Sequence, residues 1–176
     1  MRSSLLATPW AAPARSKSPV RIQVGAQAIV LIGAKAGVRP DPVLRDDAVR
    51  ILSGGMETAW PKYWAGLFGA GTDPGVIERA RRIACSLDIR DVVRGVKAFH
   101  NRQDLTDFAQ SWPKPLVVIR GDQDGAPPHP AAAETASSPL GEPHVIENAG
   151  HYTSLEQPSK VQGIVRDVLA KAGGFP

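Results

Sequence analysis

Two stretches decide the fold that this sequence predicts: Pro115-Leu116-Val117-Val118-Ile119-Arg120-Gly121-Asp122-Gln123-Asp124 and Asn148-Ala149-Gly150-His151. In the first, a short apolar run ends in a glycine turn that carries Asp124. In the second, Val145-Ile146 leads into a glycine turn that carries His151. Short apolar runs of this kind are typical of buried strands, and parallel strands deliver the residues after their carboxyl ends to one edge of a sheet. The spacing therefore predicts an Asp–His pair at that edge.

The rest of the chain alternates strands with helices. A third buried strand is predicted at residues 28–32, which form a continuous apolar run closed by Gly33. From Val43 to about Phe108 the apolar spacing is helical, and another amphipathic helix follows Pro158. Alternation of this kind predicts the α/β class with a parallel sheet.

Length and charge narrow the classes of function. A chain of 176 residues can bury one proper core, and no run approaches the roughly 18 apolar residues of a membrane span. Residues 1–40 carry six basic residues and no acid, which leaves 15 basic and 17 acidic residues in the remainder. Because that remainder is almost neutral, we expect no nucleic-acid partner. Because no apolar run is long enough, we expect no membrane partner.

The single cysteine, Cys85, precludes an internal disulfide and favours a reducing cytoplasm. Within its helical stretch it is interpreted as a packed side chain.

Residues 1–23 form a leader rich in Ala, Ser, Pro and Arg. It has no sustained periodicity, so we expect it to be disordered and the folded domain to span 24–176. Its basic, acid-free composition is also that of a transit peptide. However, Pro9 and Pro13 interrupt any amphipathic helix there, which favours the first interpretation.

In this order and spacing, the Pro-Leu-Val-Val-Ile-x-Gly-x-x-Asp run, the Asn-Ala-Gly-His turn and Leu155-Glu156-Gln157-Pro158 resemble the carboxyl-terminal part of an α/β-hydrolase-fold protein. The resemblance covers about residues 24–172. It implies a partial α/β-hydrolase fold, with a mainly parallel three-stranded sheet and a helical lid inserted at residues 43–110. The strand at 28–32 matches the one that follows the nucleophile helix in that family.

Carried over residue by residue, the resemblance makes Asp124 the acid and His151 the base of a catalytic triad. A neutral imidazole can take a proton from a hydroxyl near pH 7, and a buried carboxylate orients it and stabilises the imidazolium. Asp122 is the competing acid, although the Gly-x-x-Asp spacing favours Asp124. Two structural alternatives stay open: Asp124 as an Asx-turn residue and His151 as a surface histidine.

The sequence departs from the family at the nucleophile. No Gly-x-Ser-x-Gly motif occurs, and the nearest imitation, Ser53-Gly54-Gly55, has no strand leading into it. The first strands of the family sheet and its oxyanion-hole loop also lack a counterpart. We therefore expect the chain to be inactive alone and the strand at 28–32 to have an open edge prone to association.

Three hypotheses follow. The chain descends from a hydrolase whose complete site takes small ester-like substrates; it is a non-catalytic fragment that self-associates or binds a complementing chain through its sheet edge; or it is the product of a truncated or shifted gene. Ser154 is an uncommon alternative nucleophile beside His151. We expect no cofactor and no metal, because four histidines lack ligand spacing: His100, His129, His144 and His151.

Overall fold

Four strands form one parallel sheet in the computed structural model, which describes residues 5–7 (backbone only), 25–38, 41–126 and 138–173. In sheet order the strands are β1 (Leu5–Ala7), β2 (Ile29–Ile32), β3 (Leu116–Gly121) and β4 (Gly141–Ile146). All three neighbouring pairs are parallel. The carboxyl ends of the strands therefore meet at one edge of the sheet, as the two glycine turns predicted.

The predicted fold class is confirmed, and the sheet carries one strand more than expected. Residues Leu5–Ala7 pair with Ile29–Leu31 of β2, so the edge of β2 that was expected to be open is occupied. Apart from these three residues the leader falls outside the described residues, and its expected disorder stays a prediction. Three apolar residues are too few to show a periodicity, and their pairing is a tertiary contact.

Successive residues along each strand point to opposite faces of the sheet, and each face has its own core. On one face, Val30, Ile32, Val117 and Ile119 pack against helix α7 (Pro158–Lys171) through Val161 and Val168. On the other face, Leu116 and Val118 pack against Ala109 of helix α5 (Thr106–Ser111) and against Trp112. Because helices cover both faces, every residue of β3 is buried.

The segment between β2 and α5 is helical, as its spacing predicted, and we call residues 42–100 the helical insertion. It comprises α1 (Pro42–Leu52), α2 (Met56–Tyr63), a 3₁₀ turn (Ala65–Leu67), α3 (Pro74–Cys85) and α4 (Ile89–His100). The Asp73 side chain caps α3 by accepting the N–H of Gly75, and the Asp88 side chain caps α4 in the same way. That the insertion acts as a lid stays a prediction.

The core of the insertion joins it to the His151 turn. Leu52 and Ala59 are fully buried in this core, next to Trp60 and Phe68. Tyr152 belongs to the same core, and its ring centroid lies 4.7 Å from that of Phe68. The side chain that follows His151 in the sequence thus packs into the core of the helical insertion.

Two further observations concern single segments. Among the helices in the described part of the chain, none combines the length and the hydropathy of a transmembrane span. Cys85 is half-buried on α3, and burial raises the pKa of its thiol. A raised pKa disfavours the thiolate, as expected for a packed cysteine.

Candidate active site

Asp124 lies in the turn that follows β3. Its side chain has 0% exposure, and its backbone N–H donates to the carbonyl of Gly121 at 3.3 Å. One carboxylate oxygen accepts the N–H of Ala126 at 2.9 Å. This local bond is the one that an Asx-turn residue makes, and it orients the carboxylate while leaving further lone pairs to accept other donors.

The remaining acceptor capacity of Asp124 is directed at His151. The Nδ1 atom of His151 lies 3.0 Å from Oδ2 and 3.2 Å from Oδ1 of Asp124. Because a carboxylate only accepts, Nδ1 carries the proton, and Nε2 is left as the basic nitrogen. In the described part of the chain, nothing hydrogen-bonds Nε2. The side chain of His151 is 14% exposed, which disfavours the alternative of a surface histidine.

The competing acid, Asp122, faces a different partner. Its Oδ1 accepts the backbone N–H of Ala149 at 3.2 Å, and this bond holds the pKa of its carboxyl below the usual range. The structure therefore places the Asp124 carboxylate beside the imidazole of His151. It places the Asp122 carboxylate beside the backbone of the turn that carries His151.

Close approach of β2 to this turn requires glycine at position 33. Gly33 has a φ of +55°, a conformation that costs other residues free energy. A Cβ atom built there would lie 2.5 Å from the carbonyl oxygen of His151 and 3.5 Å from its Nδ1. Gly33, which closes the predicted strand at 28–32, thus makes room for His151.

A second set of contacts reaches the turn from the helical insertion. We call residues 67–72 the return segment, because they lead out of the 3₁₀ turn towards α3. Its Leu67 carbonyl accepts the N–H of His151 at 2.7 Å, and its Ala70 N–H donates to Oε1 of Gln123 at 2.7 Å. Glu156 accepts hydrogen bonds from both the return segment and the His151 turn. Sequence reasoning assigned no role to Leu67, Gln123 or Glu156.

Neither serine singled out from the sequence stands in a nucleophile position. Ser53 follows the carboxyl end of α1, and its hydroxyl donates to the carbonyl of Arg50 at 2.6 Å. Ser154 lies on the short helix α6 (Thr153–Glu156) and makes no hydrogen bond with His151. Among the described residues, no group of three or more His, Cys, Asp or Glu side chains could hold a metal ion.

Comparison with known proteins places this geometry in a recognised fold. No protein-family model matches the sequence, and no curated protein does either. Solved structures do match. A thermophilic esterase from Thermogutta terrifontis superposes with a TM-score of 0.72 at 24% identity, over 84% of this chain and 57% of its own.

An enol-lactonase from Burkholderia xenovorans gives a TM-score of 0.71 at 21% identity, over 83% of this chain and 57% of its own. An α/β-hydrolase from a deep-sea metagenome library gives a TM-score of 0.64 at 16% identity, over 86% and 58%.

These likenesses establish the class: the chain has a partial α/β-hydrolase fold. It spans 57% of the length of the esterase that it resembles. The resemblance inferred from the Asp124 and His151 turns is confirmed at the level of the fold.

Proposed function

We propose that Asp124 and His151 are the acid and the base of an acyl-hydrolase site that acts on small ester-like substrates. The observation that supports this proposal is their geometry: a fully buried carboxylate lies 3.0 Å from Nδ1 of an imidazole, at the carboxyl edge of a parallel sheet. Ligands of open α/β sheets bind at this edge. The esterase and the enol-lactonase among the structural neighbours favour the same class of chemistry.

In this proposal His151 acts through Nε2. Asp124 holds the proton on Nδ1, so Nε2 accepts the proton of an attacking hydroxyl and later returns it to the leaving group. The imidazolium formed in between is stabilised by the Asp124 carboxylate, whose burial strengthens the interaction. The nucleophile has to come from another source, since the sequence contains no Gly-x-Ser-x-Gly elbow.

The proposal therefore predicts an inactive isolated chain. We expect the purified protein to hydrolyse p-nitrophenyl acetate no faster than its His151→Ala variant, and a serine-directed fluorophosphonate to leave it unlabelled. Turnover that disappears in His151→Ala would contradict the expected inactivity and point to a nucleophile in this chain.

The catalytic role is tested by complementation. A polypeptide that supplies strands and a Gly-x-Ser-x-Gly turn beyond β1 is mixed with this chain, and ester turnover is measured. We expect activity that falls by a factor on the order of 10⁴ in Asp124→Ala and His151→Ala, as for other triads, but not in Glu142→Gln. Glu142 is paired with Lys171, away from the His151 turn. Equal activity in all variants would refute the assignment.

We also propose that a complementing chain or a second copy binds at β1. This strand is three residues long and pairs with β2, so an added strand would extend the sheet beyond it. Size-exclusion chromatography with light scattering tests self-association, and a strictly monomeric, folded protein would leave only a different chain as the partner. For the compartment, the single cysteine supports a reducing cytoplasm, which cell fractionation would check.

A further inference from the structure

We propose that Glu156 is a positioning residue that fixes the His151 turn against the return segment and thereby sets the contact between His151 and Asp124. The inference rests on the proposed function in one respect: it takes the Asp124–His151 pair as the working part of the site. Glu156 itself touches neither of their side chains, so it acts through the backbone.

The contacts of Glu156 form a bridge between two parts of the chain. On the insertion side, its Oε2 accepts the N–H of Gly69 at 2.8 Å and the hydroxyl of Thr72 at 2.6 Å. On the other side, the carboxylate accepts the N–H of Gly150 at 3.0 and 3.1 Å and that of Tyr152 at 3.1 Å. One carboxylate thus joins the return segment to the turn.

The two donors on the turn flank the base. Gly150 and Tyr152 are the residues before and after His151, so Glu156 holds the backbone on both sides of it. The N–H of His151 is itself held by the Leu67 carbonyl at 2.7 Å. With three consecutive N–H groups bonded, the turn has little freedom to rotate, and the imidazole keeps the direction that brings Nδ1 to Asp124.

This arrangement uses Glu156 as an acceptor only. Every partner of Glu156 named above is a donor, and a carboxylate accepts through both oxygens. Glutamine is nearly isosteric, but its NH₂ group would replace either the oxygen that accepts the N–H of Tyr152 or the oxygen that accepts the N–H of Gly69, donor against donor. A partly buried N–H without an acceptor is costly, so the turn would shift to find another one.

The test measures the Nδ1 proton of His151 directly by ¹⁵N-resolved NMR of the whole chain at low temperature. This readout needs no turnover, so its failure is distinguishable from failure of the proposed function. In Glu156→Gln and Glu156→Ala we expect this proton to exchange with water about tenfold faster or more than in the wild type, the scale of one charge-assisted hydrogen bond. In Thr72→Val, which removes one of the four donors, we expect about a threefold increase.

Two controls separate positioning from general destabilisation. Glu142→Gln removes a glutamate of β4 that pairs with Lys171 and His144, and Val168→Ala loosens the core beneath the sheet. Both should leave the Nδ1 proton within twofold of the wild type. If they accelerate its exchange as much as Glu156→Gln does, the proposal is wrong.

The proposal is also wrong if Glu156→Gln and Thr72→Val both keep the exchange rate of the wild type. These two milder variants decide the question even if Glu156→Ala does not fold. Because Gln retains size and one oxygen, an effect in Glu156→Gln near that in Glu156→Ala would further support the all-acceptor role.

Discussion

The backbone N–H of His151 donates to the carbonyl oxygen of Leu67 at 2.7 Å. Leu67 ends the 3₁₀ turn of the helical insertion, so the turn that carries the imidazole is anchored in the insertion as well as in the sheet. We expect a displacement of Leu67 to shift the His151 turn with it.

The tautomer of His151 should depend on Asp124. In Asp124→Ala we expect the proton to leave Nδ1 for Nε2, with a shift in population on the order of tenfold or more, because a hydrogen bond to a charged partner is lost. The ¹⁵N chemical shifts of the two ring nitrogens report this change. Asp107→Ala, at an exposed position of α5, is the control and should preserve the wild-type shifts.

Gly33 should be intolerant of a side chain. Gly33→Ala forces a Cβ atom against the carbonyl of His151 at a φ of +55°, and we expect it to lower the free energy of unfolding by about 2 kcal/mol or more. Gly66→Ala is the matched control, since no atom lies within 4 Å of the added group; it should change stability by less than about 0.5 kcal/mol. Urea unfolding curves measure both, and equal effects would contradict the close approach of β2 to the turn.

The contributions of Phe68 and Tyr152 to the free energy of unfolding should be coupled. Their ring centroids are 4.7 Å apart at an interplanar angle of 42°, so a double-mutant cycle with leucine at each position should give about 0.5–1.5 kcal/mol of interaction. Phe108 packs against a different core, the one that contains Trp112 and Leu116. A cycle of Phe108→Leu with Tyr152→Leu should therefore be additive within about 0.5 kcal/mol.

Asp47 should make the insertion sensitive to acid. Lys62 is the largest cause, ahead of Tyr63 and Arg50, of a pKa of Asp47 well below its usual value of 3.8. Because the folded-state pKa is lowered, the stabilisation is present above the unfolded-state pKa and is lost as the pH falls below about 4. Between pH 5 and pH 2, the wild type should thus lose stability more steeply than Asp47→Asn.

Urea unfolding at a series of pH values measures this difference in slope. Asp107→Asn, which alters an exposed carboxylate on α5, serves as the control. Parallel slopes for the wild type and Asp47→Asn would show that the contacts with Lys62 and Tyr63 contribute no stability.

The amino-acid sequence by itself determined the strands β2 and β3, because each is an apolar run between turn residues, and it marked the end of β4 through Val145-Ile146. The caps at Asp73 and Asp88 are equally local, because in each a short side chain directly precedes its helix. A general rule placed an acid near His151, since both come after neighbouring parallel strands, and the resemblance to the hydrolase family selected Asp124 over Asp122. These features depend on neighbours in the chain or on sheet topology alone.

Only the tertiary structure decided the remaining features. The pairing of Leu5–Ala7 with β2 and the separation of Asp122 from His151 depend on where distant backbone groups come to lie. Gly69 and Glu156, whose hydrogen bond joins the insertion to the His151 turn, are 87 positions apart in the chain. The sequence around Glu156 does not indicate that its carboxylate accepts four hydrogen bonds. The four donors come together only once the insertion has folded onto the sheet.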